Sequence, residues 1–101
     1  MEFLKRAGYR ILSTNYRTVF GEVDIIARDR DATVFVEVKS RSGSAFGYPF
    51  EAVTPKKQEK IRRVALYYMK QMKKEIPVRF DVLSITTEDG KEAIEHIRDA
   101  F

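Results

Sequence analysis

Hydrophobic positions along this chain switch between two-residue alternation and helical spacing, and the switches divide it into elements. Phe3 to Ala7 has the character of the last turns of a helix, with Gly8 in the usual stop position. "YRILSTNYRT", Tyr9 to Thr18, has the β-branched and aromatic content of a first strand, and Gly21 sits in the bend after it. Two more strands are predicted at Glu22 to Arg28 and Thr33 to Ser40. The polar turn "DRDA", Asp29 to Ala32, joins them, so they should form an antiparallel hairpin.

A long connection follows from Arg41 to Val53, with Phe46, Tyr48 and Phe50 set between Gly43, Gly47 and Pro49. Thr54 and Pro55 then read as an N-cap and a first helical proline, opening a helix that should run to about Glu75. Pro77 blocks its continuation. "VRFDVLSIT", Val78 to Thr86, alternates as a strand, "EDG" is turn chemistry, and Ala93 to Ile97 suits a short edge strand. The order α, β, β, β, α, β with a further β indicates one α/β domain spanning residues 1–101, a mixed sheet flanked by helices.

The centre of "VFVEVKSRS" sets the chemical question, because Glu37 and Lys39 interrupt a run that otherwise reads as buried. A buried charge costs several kcal/mol unless it is paired or binds a metal. A hairpin centred on Arg30 and Asp31 pairs Arg28 with Thr33, Asp24 with Glu37 and Glu22 with Lys39. Strand alternation gives Glu22, Asp24 and Ile26 one face, and Thr33, Phe35, Glu37 and Lys39 a face of the partner. Asp24 would then oppose Glu37 at a Cβ separation of roughly 5 Å, where like charges destabilise a sheet unless something offsets them. A divalent cation would. An all-oxygen ligand set, with no Cys and no His nearby, points to Mg²⁺ or Mn²⁺.

Such a cluster suits phosphodiester hydrolysis. Asp24, Glu37 and the backbone carbonyl of Val38 are candidate ligands, and Lys39 could orient a water or stabilise transition-state charge. Glu22 either ligates a second ion or pairs with Lys39. The rival reading is a salt bridge between Glu22 and Lys39 beside an incidental pair of acids.

Charge distribution adds a partner. The chain carries 19 basic and 15 acidic side chains for a net +4, yet Pro55–Glu75 alone holds eight basic and two acidic ones, leaving the remainder negative. On that helix Ile61, Ala65, Tyr68 and Met72 should face the core, while Lys56, Lys60, Arg63, Tyr67, Lys70 and Lys74 line another face. This basic stripe could track phosphates, and Lys57 and Gln58 in the first turn are candidates for contacts near the reacting phosphate. The loop aromatics Phe46, Tyr48 and Phe50 are expected to pin the loop rather than stack on bases, with a protein-interaction role as the weaker option. His96 reads as structural. There is no cysteine and no apolar run near the ~20 residues that span a bilayer, so a cytoplasmic protein with no membrane attachment is expected.

With these residues in place, "GYRILSTNYRTVFGEVDIIARD", "VFVEVKSRSGSAFGYPFEAVTPKKQEKI", "RFDVLSI" and "IEHIRDAF" closely resemble the bacterial YraN-like family of predicted endonucleases, distantly similar to archaeal Holliday-junction resolvases. The resemblance implies a restriction-endonuclease-like fold, whose PD-(D/E)XK signature would fall on Asp24, Glu37 and Lys39. It also implies DNA as partner, with branched DNA as a candidate substrate, and a homodimer if two strands are cut about a two-fold axis. A nucleic-acid-binding module without catalysis is the alternative.

Overall fold

The computed structural model describes residues 1–42, 53–73 and 75–101. Seven elements occur in the order α1 (Glu2–Arg6), β1 (Arg10–Thr18), β2 (Gly21–Asp29), β3 (Ala32–Ser42), α2 (Pro55–Met72), β4 (Val78–Glu88) and β5 (Lys91–Ile97). The strands form one sheet in sequence order, antiparallel except for β3 and β4, which run parallel. A parallel pair needs a crossover, and α2 lies within it. The expectation of a mixed α/β sheet with flanking helices holds, and the edge strand is longer than the sequence suggested.

Each face of the sheet has its own core. On one, Ile61, Val64 and Ala65 of α2 pack with Val23, Ile26, Phe35, Val53 and Val82. On the other, Leu4 of α1 packs with Tyr9, Ile25, Ala27, Val34, Val36 and Leu83. Gly8, at φ +94, lets the chain leave α1 directly into β1.

Two expectations for α2 are corrected. Its apolar stripe is Ile61, Val64, Ala65 and Tyr68, the complete i, i+3, i+4, i+7 set; Val64 belongs to it, and Met72 is instead 43% exposed. The helix also stops short of Glu75, because Lys73 turns left-handed at φ 57 and caps it through a hydrogen bond to the Lys70 carbonyl.

A buried polar network fastens β4 to both ends of the chain. Asp81 is fully buried in β4 and accepts from Arg79 Nε at 3.0 Å, the Tyr9 hydroxyl at 3.1 Å and the Asp99 backbone N–H at 3.1 Å. His96 Nε2 lies 2.7 Å from the same carboxylate, and its ring packs edge-on against Tyr9 and Phe3. Arg79 also reaches Asp29, at the end of β2, at 3.0 Å. Burial alone would raise the Asp81 pKa, but the bonds from Arg79, Asp99 and His96 hold it below the ordinary aspartate value. His96 is structural, as expected, and its partner is this aspartate.

Candidate functional site

The hairpin has the expected register. Asp29 pairs with Ala32, Arg28 with Thr33, and the ladder continues to Ile25 and Val36, where its regular pairs end. Beyond that point the Asp24 side chain takes over: its Oδ2 accepts the Val38 N–H at 2.8 Å. A carboxylate thus replaces a carbonyl as the cross-strand acceptor, so Asp24 reaches the third strand through its side chain.

Strict alternation, which put Asp24 and Ile26 on one face, also slips here. Val23 and Ile26 enter the same core cluster although they are three positions apart, and Ile25 enters the other. The neighbouring strand carries a matching irregularity. β1 has a register shift between Ile11 and Ser13, and Asn15 sits at φ 52.

Glu37 lies in β3, which pairs with β4 without interruption from Thr33 to Ser42, so its backbone is fixed. Its side chain is only 6% exposed, and two cations meet it: Lys57 Nζ at 2.5 Å and Lys39 Nζ at 3.8 Å from Oε2. Burial first, then the nearby Asp24 carboxyl, push the Glu37 pKa above the usual glutamate range, against the pull of Lys57. The Lys57 ammonium and then burial lower the Lys39 pKa. Burial opposes charge on Lys57 as well, but its bonds to Glu37 and Lys39 outweigh this and raise its pKa. Two carboxylates and two lysine amines therefore sit together, with Glu37 buried and Lys39 and Lys57 partly exposed.

Lys57 is delivered by the start of α2. The Thr54 hydroxyl accepts from the Lys57 backbone N–H at 3.2 Å, and Gln58 closes the same turn by donating from Nε2 to the Val53 carbonyl at 3.0 Å. Gln58 thus fastens the helix entry. Thr54→Ala is expected to remove the cap at a cost of about 1 kcal/mol. Thermal unfolding should register this as a Tm loss of roughly 4–8 °C; no change would mean that Pro55 alone fixes the helix start.

Not every candidate joins the cluster. Glu22 is half-exposed and bound by Arg17 of β1 at 2.9 Å, so the expected Glu22–Lys39 pair is replaced by a pair with the strand on the other side. Glu22 does share a cleft with Lys56, Lys57 and Lys60, walled by Gly21, Thr54 and Ile61. Arg63 lies further along α2, 3.4 Å from Glu59. The loop aromatics Phe46, Tyr48 and Phe50, and Lys74, lie outside the described residues. The sequence singled out Lys57 only as a candidate phosphate contact; its bond to Glu37 was not legible there, because it depends on how α2 crosses the sheet.

Among the described residues no three His, Asp or Glu side chains form a common metal cage. Asp24 and Glu37 remain as a two-carboxylate oxygen set, which fits a hard cation that keeps several waters, such as Mg²⁺ or Mn²⁺. No described helix is long and apolar enough to cross a membrane.

The fold and site define an α/β protein with a carboxylate and lysine cluster that shares Lys57 with a lysine-lined cleft. The chain belongs to the YraN-like family: the model of the uncharacterised protein family UPF0102 matches residues 1–85. Similar bacterial relatives include a UPF0102 protein of Thermodesulfovibrio yellowstonii, 50% identical across 100% of this chain and 87% of its own length. A UPF0102 protein of Syntrophomonas wolfei is 45% identical across 99% of this chain and 88% of its own. One from Geotalea daltonii is 50% identical across 98% and 80%.

Proposed function

We propose that this protein is a metal-dependent, restriction-endonuclease-like enzyme that hydrolyses phosphodiester bonds in DNA, with branched DNA as a candidate substrate. The observation that carries the reading is the meeting of Asp24 and Glu37 beside Lys39 and Lys57, the last of which also lines a lysine-rich cleft. Asp24 and Glu37, with the Val38 carbonyl, would hold Mg²⁺ or Mn²⁺. Bound there, such an ion supplies positive charge against the phosphate and acidifies a water.

The chain's own groups do the rest. Lys56 and Lys60 hold flanking phosphates in the cleft, a sequence-independent contact. Lys39, 3.8 Å from Glu37, orients the attacking water and stabilises the developing charge as the water oxygen bonds to phosphorus and gives up a proton. One P–O ester bond breaks, and the proton finishes on the departing oxygen. Lys57 stays charged, because its pKa is raised, and stabilises the added negative charge. A branched substrate cut on two strands would favour a homodimer.

A second reading, a nucleic-acid-binding module without catalysis, is favoured by one observation: Lys57 already neutralises Glu37 at 2.5 Å. Calorimetric titration with Mn²⁺, beside cleavage of labelled duplex, single-stranded, flap and four-way-junction DNA with and without EDTA, separates the two. Stoichiometric Mn²⁺ binding and EDTA-sensitive cutting support the enzyme. Salt-sensitive DNA binding with no metal binding would leave the module.

The Lys57 contact can be tested by itself. In Lys57→Met the buried Glu37 loses its nearer cation, so its carboxyl should titrate higher than in the parent, as followed by ¹³C NMR of the side chain. An unmoved titration would show that Lys57 does not hold Glu37 in solution.

A further inference from the structure

Beyond the lysine cleft, on the same side of α2, lies an apolar patch that the site does not use. Val19 is 92% exposed, Phe20 44%, Leu66 56% and Tyr67 36%, and together with Arg63 and Lys70 they line a shallow groove. The Phe20 and Tyr67 rings meet at an angle of 62° with centroids 6.2 Å apart. The turn carrying Phe20 is held: Thr18 Oγ1 accepts the Phe20 N–H at 3.0 Å and donates to the Gly21 carbonyl at 3.1 Å. These aromatics are therefore presented on a braced turn and a helix.

The surroundings say what would cover the patch. Its lining contains two cations and no acidic residue. A second copy seated on it about a two-fold axis would bring like charges together, which disfavours self-association through this face. The groove and the lysine cleft are walled by successive residues of the same two segments, Val19 and Phe20 with Arg63 to Lys70 in one and Gly21 and Glu22 with Lys56 to Ile61 in the other. Lys57 and Tyr67 are separated by about 15 Å along the helix axis, or roughly four steps of a stacked strand. A ligand that fits carries regularly spaced negative charge and flat apolar faces.

We propose that Phe20 and Tyr67 form a stacking platform for unpaired bases of a nucleic-acid strand whose phosphates follow Lys56, Lys60, Arg63 and Lys70. This deepens the reading above and rests on its nucleic-acid-binding half, not on catalysis. It identifies the ligand class as a strand with unpaired bases a few nucleotides from the phosphate held at the carboxylate cluster.

Fluorescence anisotropy in EDTA, with a labelled single strand, a blunt duplex and a duplex bearing an unpaired tail, tests the platform without any cleavage. The Phe20→Ala/Tyr67→Ala double variant should bind the single strand and the tailed duplex about 5- to 30-fold more weakly, with less than about a twofold change on the blunt duplex. Tyr67→Phe should keep parental affinity, because a ring suffices. Equal losses on all three DNAs, or none, would overturn the platform while a Lys56→Ala/Lys60→Ala loss left nucleic-acid binding standing. If that lysine variant bound like the parent, or the parent did not bind, the underlying reading and the platform would both fail. Sedimentation showing a parental dimer that dissociates in the aromatic variant, with DNA affinity unchanged, would assign the patch to a second copy and also overturn the proposal.

Discussion

Asp81→Ala is expected to destabilise the fold by about 3–5 kcal/mol, the usual cost of removing one partner from a buried ion pair. The loss would take a partner from Arg79, the Tyr9 hydroxyl, His96 and the Asp99 N–H, all of which meet this fully buried carboxylate, and would leave Arg79 with Asp29 as its remaining carboxylate. Native domains retain roughly 5–15 kcal/mol in all, so the Tm should fall by at least about 12 °C. A drop below about 4 °C would show that water or rearranged partners replace the carboxylate.

The same group sets an acid limit. Its folded pKa lies below the ordinary 3.8, so its contribution is present above that value and is lost as the pH falls through the folded pKa. Urea titrations from pH 6 down to pH 2 should therefore show parental stability declining below about pH 4 more steeply than that of the variant. Glu37 works in the opposite sense. Its raised pKa means that burying its charge costs stability at neutral pH, and the cost is relieved as the pH falls through the folded value. One carboxylate holds the fold together; the other is kept at its expense.

Asp24→Asn is the second large expectation, and it falls on activity. The amide oxygen can still accept the Val38 N–H, so the hairpin should survive with a Tm near or above that of the parent. With the Asp24 charge gone, the Glu37 pKa should drop toward the ordinary range, since Asp24 is among the groups that raise it. Mn²⁺ binding should disappear, and cleavage should fall by about 10²–10³-fold, the scale for losing one charge-stabilising group. A folded variant that kept parental metal affinity would remove Asp24 from the ligand set. One that lost metal but kept cutting would remove metal from the chemistry.

What the sequence made legible follows from how local each feature is. The hairpin register depends on one two-residue turn, and the ladder from Asp29 and Ala32 to Ile25 and Val36 is as expected. The start of α2 was equally readable, because Thr54 and Pro55 act on the turn that contains them. Features that depend on distant partners were not. Asp81 reads as one more position in an alternating strand, although Arg79 two residues earlier on an apolar strand was a signal of a paired, buried acid. Glu22 was expected to face Lys39, but nothing local revealed that Arg17 of the preceding strand would take it. The slip in alternation at Asp24 was hidden too, as was the irregular path of the neighbouring β1.

The parallel pairing of β3 with β4 bears on the order in which the protein assembles. Strands β1, β2 and β3 join residues no more than 18 apart in sequence, whereas every β3–β4 pair spans 45 residues. Closing the longer span carries the larger entropic cost before any contact rewards it, so the N-terminal meander should form first and the crossover later. Asp24, Glu37 and Lys39 all belong to the early part, and Lys57 arrives only when α2 docks. A nascent chain emerging N-terminus first would thus complete its acidic pair before the lysine that neutralises Glu37 is in place.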